Sequence, residues 1–153
     1  MKVLSIDPGL AESFAVCVVD KSENPVFMCM IDTSAGYLHI ASEIIKIAKE
    51  YKVTNVVCED FVYFYGSKNG QTITRMNRLL GFIDGYLLAN GYNIEFVTSA
   101  TWKRVLKVDK EKGTDAARKL LNSNGFDFSD KKKEWHMVDA FGIGVYFQRK
   151  NKN

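Results

Sequence analysis

Apolar residues recur along this chain with two different periods. Short, almost uninterrupted apolar runs at Lys2–Ile6, Phe14–Val19, Val26–Ile31, Val53–Cys58 and Ile94–Val97 read as β-strands. Asp7-Pro8-Gly9 closes the first of them as a turn, with proline fixing φ and glycine free to take a positive φ. The polar stretch Asp20-Lys21-Ser22-Glu23-Asn24 separates the second from the third. Val53–Cys58 is β-branched and nearly all apolar, as expected of a strand covered on both faces. Elsewhere the period lengthens. Tyr37, Ala41, Ile44, Ile45 and Ala48 predict an amphipathic helix over Gly36–Tyr51. Ile73, Met76, Leu80, Ile83 and Leu87 predict a longer one over Thr72–Asn90, ended by Gly91. Thr98 or Ser99 could cap a short helix through Leu106, and Thr114 another that stops at Gly125. A last helix is expected from near Glu134 to about Phe147.

The resulting order, βββ-α-β-α-β-α-α-α, predicts an α/β fold with a five-stranded mixed sheet and helices on both faces. The first and fourth strands can then lie side by side and parallel. Asp7 follows one and Glu59 the other, so both acids would emerge at the carboxyl ends of the strands, where α/β sheets place their ligands. His136 and Asp139 stand three apart on the last helix and share a face. Taken singly, a turn after a strand, an acid at a strand end and a His-x-x-Asp on a helix are ordinary surface features; it is their joint occurrence around one sheet that points to chemistry. Carboxylates converging there repel one another unless a cation joins them. Mg²⁺ takes oxygen ligands and bridges to phosphate. Two such ions about 3.5–4 Å apart activate a water and stabilise the leaving oxygen in phosphodiester hydrolysis.

Composition narrows the class of molecule. A chain of 153 residues has room for one domain and one core. With 46% hydrophobic and 25% charged residues it is ordinary for a globular protein. The longest apolar run, Phe14–Val19, is too short to span a bilayer, and Ser5 and Asp7 interrupt the start before a signal peptide could form, so no membrane association is expected. Three cysteines, Cys17, Cys29 and Cys58, lie in strand-like segments without a C-x-x-C pair, as expected of reduced packing residues in a cytoplasmic protein. The net charge of +3 is unremarkable, but its distribution is not. Lys103, Arg104, Lys107, Lys110, Lys112, Arg118 and Lys119 cluster, Lys131–Lys133 follow, and a basic tail from about residue 148 carries Arg149, Lys150 and Lys152. A charge run of this kind is usually a solvated surface and favours an anionic partner only weakly.

These residues also carry a family resemblance. Leu4-Ser5-Ile6-Asp7-Pro8-Gly9-Leu10 resembles the first motif of the RuvC Holliday junction resolvases, within the RNase H-like nuclease superfamily, and Val57-Cys58-Glu59-Asp60-Phe61 resembles the second. Lys68-Asn69, Gly81 twelve residues later, and then Lys103 match the family's spacing, and His136-Met137-Val138-Asp139-Ala140 is similar to its terminal motif. The resemblance covers nearly the whole chain. It implies an RNase H-like fold and Asp7, Glu59, His136 and Asp139 as the catalytic, metal-holding positions. It further implies two Mg²⁺ ions per active site with Mn²⁺ as a substitute, a homodimer, and cleavage of four-way and other branched DNA. Lys68, Lys103, Lys107, Lys112 and Arg118 would contact DNA. So would an aromatic wedge drawn from Tyr63, Phe64 and Tyr65; counting forward from Glu59 puts the wedge at Val62, and counting back from Asn69 puts it at Tyr65. The sequence departs from the family in lacking a glycine in Ala11-Glu12-Ser13-Phe14 and in a longer loop after Glu59. The family's lysine in the Gly-rich turn before the penultimate helix has no residue-for-residue match, and Arg118 or Lys119 is the candidate substitute. So compact and divergent a member suits a bacteriophage.

Three other readings compete. A catalytically silent branched-DNA-binding protein would gain nothing from carboxylates facing phosphates. An RNase H-like enzyme acting on RNA or a hybrid is equally compatible with the fold. An actin-like ATP-binding protein also has Asp-x-Gly in its first phosphate loop but needs two such domains, so no nucleotide cofactor is expected.

Overall fold

A computed structural model describes residues 1–10, 14–61, 70–106, 113–126 and 135–152. Strands β1 (Val3–Asp7), β2 (Phe14–Val19) and β3 (Pro25–Ile31) are followed by helix α1 (Tyr37–Glu50) and strand β4 (Asn55–Asp60). Helix α2 (Gly70–Ala89), strand β5 (Ile94–Thr98) and helices α3 (Ser99–Val105), α4 (Gly113–Ser123) and α5 (Trp135–Lys150) complete the order. The sheet runs β3-β2-β1-β4-β5. β1 is antiparallel to β2 and parallel to β4, and β4 is parallel to β5. This is the five-stranded mixed sheet that the alternation of patterns predicts.

Period-two alternation distributes the strands' side chains between two cores. Leu4, Ile6, Val16, Val18, Val56 and Cys58 pack with Ile40, Ile44, Leu79 and Ile83 of α1 and α2. Val3, Ala15, Cys17, Val19 and Val57 pack on the other face with Trp102, Leu121, Phe141 and Val145 of α3, α4 and α5. Both faces of β1, β2 and β4 are therefore covered, which is why these strands read as unbroken apolar runs. Cys17 and Cys58 are buried and Cys29 half-buried, all three as free thiols. Among the described residues no helix is long and apolar enough to cross a membrane.

Several element ends differ from the sequence reading, most clearly in β4 and α4. β4 begins and ends two residues later than Val53–Cys58, so Glu59 lies within the strand rather than beyond it. Parallel pairing with β5, in which Glu59 is opposite Val97 and Asp60 opposite Thr98, extends the ladder past the last apolar residue. α4 is described from Gly113 to Ser123, a range that includes Thr114. The Thr98 alternative holds for α3, where its side chain accepts a hydrogen bond from the Thr101 amide.

α5 crosses β1 and β2 at close range because it carries glycine where it meets them. A Cβ built on Gly144 would lie 2.5 Å from Val19 Cγ2 and 2.8 Å from Ser5 Oγ. The buried Ser5 hydroxyl donates to the Cys17 carbonyl at 3.1 Å, so it cannot swing away without losing that bond. Gly144→Ala is expected to destabilise the fold by about 1–3 kcal/mol through overpacking. Denaturant titration measures this, and an unchanged midpoint would show that α5 can move outward without cost.

Candidate active site

The site begins with strand register. Ile6 is opposite Cys58, so the next residues along the parallel pair, Asp7 and Glu59, end up side by side. Alternation then sets their direction: Val3 and Ser5 on β1 and Val57 on β4 face α5, and Asp7 and Glu59 continue those two rows. α5 brings His136 and Asp139 to the same end in its first turns. His136 Nδ1 is 2.7 Å from Asp7 Oδ2. Trp102, in α3 directly after β5, donates its indole N–H to Glu59 Oε2 at 2.7 Å.

Electrostatics bind the group together. Burial pushes the Asp7 carboxyl up from its ordinary value, while the hydrogen bond and charge of His136, and the charge of Lys103, pull it down. Burial, and then the neighbouring Asp7 and Asp139 charges, raise Glu59 to about 7 against the opposing pull of Trp102 and Lys103. His136 is raised, chiefly by its bond to Asp7 and further by Asp139 and Glu59. Four groups from three elements of the chain thus share one field, and each carboxylate makes the next harder to ionise.

The donor set, three carboxylates and an imidazole, has the chemistry of a divalent-cation site, and the mutual repulsion of its acids is what a cation relieves. Among the described residues no three such side chains already form a coordination shell. Asp7 is turned to His136 and Glu59 to Trp102.

The basic residues fare less uniformly. Lys103 sits beside the acids, with Nζ 5.0 Å from the Trp102 ring centroid. Arg118 is half-buried and paired with Asp115 on its own helix. In the tail, Arg149 and Lys152 both bind Glu23, at 3.0 and 2.7 Å, and Lys150 binds Glu95 at 2.6 Å. These pairs lie thirteen residues or more beyond His136, about 20 Å along α5 at 1.5 Å per residue. The tail is thus a clasp on the β2–β3 turn and β5. Tyr63, Phe64, Tyr65, Lys68, Lys107 and Lys112 lie outside the described residues, as does Val62.

The sequence reading did not place two sets of residues at this end. Trp102 is wholly buried, as a packing residue would be, and it also bonds a site acid. Its position four residues past Thr98, whose strand partner is Asp60 beside Glu59, is a signal that pairing register makes legible. Arg75 and Arg78 are exposed on the first turns of α2, which starts from the carboxyl end of β4. Of the remaining side chains, Asp60 and Asp84 are exposed and His39 is half-buried in α1.

An antiparallel three-stranded meander extended by two parallel strands is the sheet of the RNase H-like fold. Among solved structures the chain resembles Thermus thermophilus RuvC in complex with a Holliday junction substrate, with a TM-score of 0.76 at 15% identity over 99% of this chain and 96% of that one. It resembles the yeast mitochondrial Holliday junction resolvase Ydc2, with a TM-score of 0.67 at 13% identity over 96% and 78%. The fowlpox virus resolvase in complex with Holliday junction DNA gives 0.55 at 12% over the full length of both. No family model matches the sequence, and no curated protein matches it.

Proposed function

We propose that this protein is a divalent-metal-dependent endonuclease that cuts four-way and related branched DNA, with Asp7, Glu59, His136 and Asp139 as its catalytic and metal-holding residues. The observation that carries this reading is the convergence of these four side chains at the carboxyl ends of β1 and β4. The chain shares its fold with Holliday junction resolvases, which supports the substrate class. Asp7, Glu59 and Asp139 supply hard oxygen donors for Mg²⁺, and the His136 imidazole lets Mn²⁺ substitute. A pair of such ions, when bound, supplies an activated water and neutralises charge on the leaving oxygen.

The chain's own residues do the rest. Ion pairing with Asp7 holds the His136 ring in place, and Trp102 holds Glu59. Lys103 adds positive charge beside the acids, where a phosphodiester must approach carboxylates that would otherwise repel it. Arg75 and Arg78 extend that charge onto α2, and Lys68, Lys107 and Lys112 join them as phosphate contacts. Tyr63, Phe64 and Tyr65 supply stacking surfaces at the branch point, where bases are already partly unpaired and each stacked base contributes about 1–3 kcal/mol.

A homodimer completes this reading, because two identical sites related by a two-fold axis match a branched substrate of similar symmetry. α2 favours it. A Cβ on Gly81 or Gly85 meets no neighbouring atom, and Phe82 and Leu88 are exposed, Phe82 stacking with Tyr86 at 6.0 Å. Phe82→Lys is expected to shift the mass measured by light scattering from dimer to monomer. A monomeric parent protein at micromolar concentration would remove the dimer from the proposal.

The decisive experiment incubates the protein with labelled four-way, Y-shaped, linear and RNA–DNA hybrid substrates, with Mg²⁺, Mn²⁺ or a chelator. Metal-dependent cuts near the branch point are expected. Cleavage confined to the hybrid would reassign the substrate, and binding without cleavage under every metal would make the protein a branched-DNA binder.

A further inference from the structure

Trp102 is wholly buried, yet its one polar atom points at the candidate active site. A buried indole N–H needs an acceptor, and a hydrophobic slot filled by Phe or Leu would need none. Here the acceptor is Oε2 of Glu59, at 2.7 Å. The ring itself is fixed from behind: a Cβ added to Gly142 of α5 would come within 2.7 Å of Trp102 Cζ3, so the helix backbone lies directly on the indole. The Thr98 cap anchors the start of α3, and Lys103 Nζ lies over the indole ring. Glu59 has three rotatable side-chain bonds and sits beside a like-charged Asp7. Repulsion alone would scatter it among rotamers.

We infer that Trp102 is a positioning residue that commits one oxygen of Glu59 and so presets the carboxylate for a divalent cation. The inference deepens the nuclease reading of the same site and rests on it. Because the indole is clamped by α5, which also carries His136 and Asp139, the bond ties the placement of Glu59 to the helix that supplies the other two ligands. A group that hydrogen-bonds a ligating carboxylate typically changes metal affinity or activity by about 10–100-fold when removed.

The test removes the N–H and keeps an aromatic side chain. In Trp102→Phe, Mn²⁺ titration followed by the rise in melting temperature is expected to give a midpoint about 10–100-fold higher than the parent's. On a labelled four-way junction kcat should fall to a similar degree while KM changes less, since the variant retains Lys103 and the other basic residues. Should the smaller ring leave the protein unfolded, incorporation of 3-benzothienylalanine at position 102 preserves the shape and still lacks the donor. A metal midpoint within twofold of the parent's in the folded variant overturns the inference, whatever the nuclease assay shows. A shifted midpoint in a protein that cuts no DNA supports the positioning role and counts only against the nuclease reading. A parent protein whose melting temperature no divalent cation moves overturns both.

Discussion

Asp7→Asn is expected to reduce metal-dependent junction cleavage by about two to three orders of magnitude, the scale of losing one electrostatic partner of a transition state. Asp7 is the most constrained member of the group. It ends the central strand, is buried to 7% exposure, and bonds His136 at 2.7 Å. Asparagine fits the same space and can still bond the imidazole, so the fold should survive. What is lost is a charge. The change removes a hard anionic donor, takes away the negative field that raises Glu59, and leaves His136 without the partner that raises it. Binding of branched DNA should be retained or strengthened, because one source of repulsion toward phosphate has gone. Electrophoretic mobility shift and cleavage assays on one labelled junction separate the two effects. Cleavage within tenfold of the parent would take Asp7 out of the site.

Glu59→Gln should raise the stability of the chelator-treated protein at pH 8 while abolishing cleavage. A carboxyl whose folded pKa is raised binds its proton more tightly in the native state than in the unfolded one. Stability therefore falls as pH climbs from the unfolded value of 4.5 through the folded value of about 7. Below that window Glu59 is protonated in both states and contributes nothing; above it the full penalty applies, about 3 kcal/mol at 1.36 kcal/mol per pKa unit. Asp7 and His136 are also raised, so within the site all three groups take stability from the metal-free protein as pH rises. Glutamine removes the Glu59 part and still accepts the indole N–H of Trp102. At pH 8 without metal, a melting temperature roughly 5–10 °C above the parent's is expected for a chain of this length. At pH 4.5 the two proteins should melt together. Mg²⁺ should stabilise the parent more than the variant, since an ion satisfies the charge that glutamine deletes. Equal melting at pH 8 would show that the Glu59 carboxylate is not held under strain in the absence of metal.

What could be read from the amino-acid order was local or periodic. β2 has the same limits in the sequence and in the structure, Phe14–Val19, because a strand covered on both faces is apolar at every position and stops where polarity resumes. Helix α1 shows as clearly, since one buried stripe at Ile40, Ala41, Ile44, Ile45 and Ala48 repeats with the helical period. The connection order allowed the first and fourth strands to lie side by side and parallel, which would place Asp7 beside Glu59, and the structure pairs them so. Tertiary structure decided the remainder. Glu59 is polar, so no apolar pattern could include it in β4; pairing with β5 does, and that pairing aims it at α5. The basic tail reads as a solvated charge run, and only the fold brings Glu23 and Glu95 from distant segments to meet Arg149, Lys152 and Lys150. Trp102 offers the clearest contrast. Its burial was expected of a large apolar ring, but the direction of its single N–H depends on where β5 ends, how α3 is capped and how closely Gly142 lets α5 approach. A sequence records which groups have a donor to place, whereas the packing of three separate elements determines which acceptor it reaches.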